Sequence, residues 1–281
     1  MSRATSWFAA LQRALPQHGL SRGIGHLARS EVPWIKGPFI RSFARAYAVN
    51  MSEAAEPSLD AYASFNAFFT RALREGARPI AADEDVLVCP ADGCISQLGA
   101  IEGDTLLQAK GHGYTLASLA GELGAGFHDG SFCTIYLAPS DYHRVHAPFG
   151  GTLTDTLAVP GALYSVNGTT EQAIEGLFVR NERLVCRFET TFGPMLVVLV
   201  GAMIVASIET VWAGPVSPYA VETREQHGDD NLHFEKGAEL GRFLLGSTVI
   251  CCFPAGAVHL GDTLRTGSTV RMGSPMARLR G

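Results

Sequence analysis

Through residue 80, apolar positions recur at three- and four-residue spacing, the repeat of one helix face. Trp7, Ala10, Leu11 and Leu15 form a first stripe, stopped by Pro16. Leu20, Ile24 and Leu27 form a second. Phe39, Ile40, Phe43 and Tyr47 form a third, with Lys36, Arg41 and Arg45 nearby. Residues 58–75 predict a fourth helix, capped by Ser58 and carrying Leu59, Tyr62, Phe65, Phe68 and Phe69. Gly76 and Pro79 end that pattern.

From residue 85 the period changes. Short β-rich runs alternate with Gly, Pro, Asn and Asp: Val86–Cys89, Phe132–Leu137, Gly151–Val159, Arg183–Glu189, Met195–Thr210, Thr248–Phe253 and Thr269–Met272. A short helix is expected at Leu116–Leu123, and Asn181-Glu182 reads as a tight hairpin connection. The longest apolar run, Met195–Ile208, falls short of the ~20 residues a membrane-spanning helix needs, so it predicts a buried strand. The fold class is α+β. Amphipathic helices in residues 1–80 pack on a mainly antiparallel, β-rich domain, barrel- or sandwich-like, in residues 81–281.

Charge sharpens this division. The chain of 281 residues carries a net −5, yet residues 1–48 hold seven basic residues and one acid, Glu31. That segment is +6 and leaves −11 on the remainder, which points to an anionic partner for the N-terminus. Trp7, Trp34, phenylalanines and arginines on short amphipathic helices suit the headgroup layer of a membrane; packing against the protein's own core is the equal alternative. No nucleic-acid motif accompanies the charge. Met1–Leu15 lacks the continuous apolar core of a signal peptide. The six cysteines form no C-x-x-C and sit in apolar runs, as buried thiols do.

Three segments set polar groups among apolar ones: 89–93 with Asp92, 136–148 with Asp141, His143 and His146, and 243–250 with Gly246 and Ser247. Taken singly, Asp92-Gly93 and Gly246-Ser247 are ordinary turn dipeptides. Together they supply a carboxylate, an imidazole and a hydroxyl, the parts of an activated serine. The Gly-x-Ser-x-Gly elbow of hydrolases is absent around Ser247. His143 and His146 are spaced for a metal, but Pro139 and Pro148 leave room for one turn or a loop, no third ligand is evident, and no metal is expected. Proton transfer is the more natural use of the pair.

These residues carry a resemblance. Phe65-Asn66-Ala67-Phe68-Phe69-Thr70-Arg71, Gly76-Ala77-Arg78-Pro79-Ile80, Pro90-Ala91-Asp92-Gly93 and Asp141-Tyr142-His143-Arg144-Val145-His146 lead the set. Ser165-Val166-Asn167, Asn181-Glu182-Arg183, and Lys236 through Phe243 into Leu245-Gly246-Ser247-Thr248-Val249-Ile250 complete it. In that order they resemble the bacterial phosphatidylserine decarboxylase proenzyme family, pyruvoyl-dependent and membrane-associated. The resemblance implies a chain that cuts itself between Gly246 and Ser247, giving a β-chain of 1–246 and an α-chain of 247–281. Asp92, His146 and Ser247 match the family's self-cleavage triad. Ser247 matches the residue that becomes the pyruvoyl group, which forms a Schiff base with substrate, and His143 the histidine of the decarboxylation step. It further implies conversion of phosphatidylserine to phosphatidylethanolamine in phospholipid biosynthesis, peripheral attachment to the cytoplasmic face of the cell membrane, and an option of a homodimer. Three rivals stand beside it: a pyruvoyl decarboxylase of a soluble amino acid, a non-catalytic membrane-binding β-domain, and a zinc hydrolase using His143 and His146.

Overall fold

A computed structural model describes residues 17–108, 111–166, 168–202, 208–228, 230–244 and 247–280, with side chains from residue 23 onward except those of Thr169 and Ser247. The helix expected around Trp7–Leu15 lies outside the described residues, as does Gly246.

The second and third apolar stripes form helices α1 (Gln17–Arg29) and α2 (Pro33–Ala46). Pro33 opens α2, where its missing N–H costs nothing. The fourth expected helix is not continuous. It consists of a single 3-10 turn at Leu59–Ala61 and the short helix α3 (Phe65–Phe69). Ser58 makes no capping bond; Ser64 does, accepting from the Ala67 N–H at 3.2 Å. Local spacing suggested one helix, but a cap inside the stretch restarts the chain. Three aromatic rings of α3, Phe65, Phe68 and Phe69, are buried with Ile40, Ala44 and Tyr62. Leu244, from the far end of the sequence, joins this cluster.

Among the described residues, four antiparallel sheets follow. The largest has the order β12 (Thr223–Gln226), β7 (Gly151–Val159), β8 (Arg183–Thr190), β9 (Gly193–Gly201), β15 (Ser247–Phe253), β5 (Ser131–Leu137), β2 (Gly93–Ala100), β17 (Thr269–Val270), with β13 (His233–Phe234) also on β7. A four-stranded sheet runs β11 (Gly214–Pro215), β10 (Ile208–Thr210), β14 (Glu239–Phe243), β6 (Arg144–His146). A third runs β1 (Val86–Val88), β18 (Pro275–Leu279), β16 (Val258–Leu260), and β3 (Thr105–Leu107) pairs β4 (Gly113–Thr115).

The apolar run of β9 has a physical reason. Met195, Val197 and Leu199 enter one core while Leu196, Val198 and Val200 enter another, because strand side chains alternate between faces and both faces are covered. On the first face the large sheet packs against the smaller sheets through Val145, Ile208, Leu240, Phe243, Val258 and Met276. On the second it packs against Leu116 and Leu119 of α4 (Leu116–Ala120) and Leu177 and Phe178 of a turn of helix, Leu177–Arg180. The result is layered, and among the described residues the large sheet stays open between β12 and β17 with no closed barrel. The α+β class stands; the barrel half of the barrel-or-sandwich expectation does not.

Two local expectations also change. Met195–Thr210 is two strands in different sheets, not one. Asn181-Glu182 is no hairpin. Asn181 is fully buried after the Leu177–Arg180 turn, and its amide donates to the Tyr164 and Gly201 carbonyls at 2.8 and 2.9 Å. Polarity at that dipeptide marks a buried tie between segments, not a turn. The cysteines are free thiols, buried except for half-buried Cys94. No described helix is long and apolar enough to cross a membrane.

Candidate active site

The three chemistry-bearing segments meet at one end of the large sheet. Asp92 immediately precedes β2, the 138–143 stretch leaves β5, and Ser247 opens β15. In the sheet Ser247 lies opposite Leu137 on one side and Gly201 on the other. Two main-chain hydrogen bonds join the segments: His146 N–H donates to the Pro90 carbonyl at 2.8 Å, and Phe243 N–H to the His143 carbonyl at 3.0 Å. Gly93 is required where Asp92 enters the sheet, since a Cβ there would lie 2.2 Å from the Tyr136 carbonyl oxygen.

A tight turn separates β5 from the histidines. The Asp141 carboxylate accepts from the Ala138 N–H at 2.7 Å, and the Asp141 N–H donates to the Ala138 carbonyl at 2.9 Å. The chain then enters β6, paired with β14. The expectation of a turn or loop around the histidines therefore holds for His143 only; His146 is in a strand.

His143 is fully buried, stacked 4.0 Å from the Phe69 ring. Its Nε2 pairs with the Ala138 carbonyl at 3.0 Å, so Nε2 carries the proton. Burial, with Arg71 adding repulsion, pushes this imidazole down to about 3, and it is neutral.

His146 is held differently. Nδ1 lies 2.8 Å from the Gly237 carbonyl, which can only accept, so Nδ1 is the protonated nitrogen. Gly237 presents that carbonyl from a backbone with φ of 83°, a conformation suited to glycine. Nε2 is then the basic nitrogen, and the Tyr142 hydroxyl donates to it at 3.0 Å. Burial keeps His146 below its ordinary value, with the Gly237 bond opposing. The tautomer is that of a general base with Nε2 outward from its anchor.

Asp92 makes no hydrogen bond to His146 and acts on it only through its charge. Its carboxylate is clasped by the Arg78 guanidinium, with Nε at 2.8 and 3.0 Å and Nη2 closer still, and it accepts from the Met272 N–H at 2.9 Å. Arg78 also donates to Glu53 at 2.8 Å. The Asp92 bond raises Arg78 further above its already high value, and Arg78 in turn lowers Glu53. The main-chain anchor at Gly237, not the carboxylate, fixes the ring of His146 in this structure.

A cleft of about 220 Å³ opens beside Asp92, lined among others by Arg71, Arg78, Ser140, Asp141, Tyr142 and Arg271. Arg78, Arg71, Glu53, Phe69 and Gly237 had no assigned role in the sequence reading. Two of them carried a signal, a basic residue in an otherwise apolar stretch; partners for the others come from distant segments. No group of three His, Cys, Asp or Glu that could hold a metal occurs among the described residues.

A strand-opening serine, a histidine and a paired carboxylate stand at one end of an α+β fold. A family model described as phosphatidylserine decarboxylase matches residues 65–278, and one described as PSD matches residues 7–48. The chain is 53% identical over 284 residues to a phosphatidylserine decarboxylase proenzyme of Pseudomonas aeruginosa, covering 99% of this chain and 98% of that one. It is 52% identical to the like-named protein of Alcanivorax borkumensis, covering 97% and 96%. The one from Saccharophagus degradans is 49% identical, covering 97% of each. The chain belongs to the phosphatidylserine decarboxylase family.

Proposed function

We propose that this protein is a self-processing decarboxylase that converts phosphatidylserine to phosphatidylethanolamine and CO2. The observation that carries the reading is near-complete coverage by relatives named as proenzymes of that activity. The layout of the site supports it, since segments 155 residues apart, Asp92 and Ser247, are brought to the same end of one sheet.

Maturation asks Ser247 Oγ to attack the carbonyl carbon of Gly246. His146, with Nδ1 occupied by Gly237, takes the hydroxyl proton on Nε2. Tyr142 must give up its bond to that nitrogen for this to happen. Asp92 holds Arg78 and the Met272 N–H, which fixes the strand entrance beside the attack site. The amide becomes an ester; loss of the Ser247 α-proton then expels the Gly246 carboxylate, and water releases ammonia. A pyruvoyl group made from Ser247 would come from the chain itself, at the sheet end where Asp92, the 138–143 stretch and the start of β15 meet. Such a group supplies an electron sink for the pair left behind by CO2. His143, beside the same sheet end, returns a proton to the substrate α-carbon. A neutral imidazole is a weak acid, so negative charge arriving next to it must first raise its proton affinity.

Residues 1–80 serve as the membrane-associating region. Trp34 is 77% exposed, Leu27, Val32 and Tyr47 are exposed on α1 and α2 or beside them, and Arg29, Arg41 and Arg45 are exposed nearby. This apolar and basic surface suits peripheral attachment to an anionic leaflet, where each basic residue adds about 1 kcal/mol.

The test is the mass of the purified protein under denaturing conditions, together with turnover of phosphatidylserine vesicles and of free serine. Two fragments meeting at 246/247 and turnover of the lipid alone are expected. A single 30.0 kDa chain after incubation with lipid would sink the reading. Turnover of free serine would favour the soluble-substrate rival.

A further inference from the structure

Arg71 follows α3 at the base of the cleft and is 4% exposed. Its Nη2 donates to the Ser140 and Asp141 carbonyls at 3.0 and 3.2 Å. Its Nε and Nη1 are buried with no partner. Each edge of the guanidinium fork therefore keeps a donor in reserve. Its cation lies 5.6 Å from the centre of the Phe68 ring, and no carboxylate among the described residues bonds it.

The other cations lining the cleft are matched. Arg78 is held by Asp92 and Glu53, and Arg271 donates to Glu53 at 3.1 Å. Asp141 spends its carboxylate on the Ala138 N–H, and burial pushes its carboxyl up, which weakens it as a counter-ion for Arg71. A buried guanidinium with unmade bonds costs free energy, and burial accordingly lowers its proton affinity. An oxyanion entering the cleft would remove that cost through charge-assisted bonds.

We propose that Arg71 binds the phosphodiester of the substrate headgroup and so selects a phospholipid over a free amino acid. This rests on the decarboxylase reading of the same site. The headgroup offers two anions, and the chemistry separates them. A guanidinium on the carboxylate would stabilise the charge that CO2 loss must remove, favouring the ground state over the transition state. On the phosphodiester it holds a charge that does not change during the reaction. A third oxyanion, the Gly246 carboxylate released by cleavage, has the same chemistry and must be distinguished by experiment.

The probes are glycerophosphoethanolamine, a phosphodiester without the carboxylate, and serine, a carboxylate without the phosphate. Each is titrated calorimetrically into processed wild type, Arg71→Gln, Arg71→Lys and the uncleaved Ser247→Ala chain. Glycerophosphoethanolamine is expected to bind both wild type and Ser247→Ala, more tightly to wild type, where its amine also meets the ketone, and to lose about tenfold or more in Arg71→Gln, less in Arg71→Lys. Serine affinity should change little. On phosphatidylserine vesicles Arg71→Lys should raise KM more than it lowers kcat. Equal binding of glycerophosphoethanolamine by wild type and Arg71→Gln overturns the proposal, as does a loss confined to serine. Binding to Ser247→Ala but not to processed wild type gives Arg71 to the Gly246 carboxylate instead. If Arg71→Gln fails to fold, Arg71→Lys decides: unchanged affinity and KM mean that the residue only holds the Ser140–Asp141 turn. Wild type that binds the probe but never splits or turns over lipid defeats the decarboxylase reading and leaves the anion site standing.

Discussion

The surroundings of His143 and His146 differ more than three residues of sequence would suggest. The His143 region belongs to the N-terminal aromatic cluster: Phe69 stacks on its ring, and Phe65 and Phe68 pack behind. The His146 region belongs to the sheets: β14 flanks it, Gly237 fixes one ring nitrogen and Tyr142 meets the other. Desolvation lowers both imidazoles, and hydrogen bonds at both ring nitrogens orient that of His146. The difference teaches how one short stretch can hold two imidazoles in unlike surroundings. The bend at 138–142 hands His143 to the helices before β6 carries His146 into the sheet.

Substitution of the two histidines should break the comparison most sharply. His146→Ala is expected to slow splitting at 246/247 by about 10³-fold, within the range for losing a general base, as followed by mass over time. His143→Ala should still split and then decarboxylate phosphatidylserine poorly. Splitting at the wild-type rate in His146→Ala, or full lipid turnover in His143→Ala, would remove that residue from its step.

Acid should expose the buried neutral ring next. His143 titrates near 3 in the folded chain and near 6.5 once unfolded. As pH falls below 6.5 the unfolded chain takes up this proton and the folded chain does not, so stability declines progressively toward pH 3. His146, also lowered, adds in the same direction. Urea unfolding at pH 7 and pH 5 should show the loss, and His143→Gln should flatten it. An equal slope in that variant would place the pH dependence elsewhere.

Tyr142→Phe should have the smallest effect. It removes a hydroxyl whose bond contributes about 1 kcal/mol and frees the basic nitrogen of His146. Splitting is expected to change no more than about tenfold, and to quicken. Slower splitting would mean that the hydroxyl orients the ring instead of occupying it.

Much of this was legible in the sequence. Period gave the strands Gly151–Val159 and Ser131–Leu137 to within a residue: the first alternates apolar with polar positions, and the second is mostly apolar because both of its faces are covered. The ordered motifs carried the family. The apolar stripe at 58–75 predicts one helix, because an internal cap at Ser64 weighs little against it, yet that cap restarts the chain. Asn181-Glu182 was misread because a buried polar tie and an exposed turn share the same composition.

By itself, the sequence determined what local chemistry can write: helical and strand periods, a basic N-terminal segment, thiols in apolar runs, and a family pattern over Phe65–Ile250. The tertiary structure alone decided which partners meet. Asp92 is taken by Arg78 and Met272, His146 by Gly237 and Tyr142, His143 by Phe69 and Ala138, and Arg71 is left with unmade bonds. The reason is physical. Backbone preference and side-chain period act over a few residues, whereas desolvation and hydrogen-bond pairing depend on segments brought together by packing from as far as 218 positions away, as Arg271 is from Glu53.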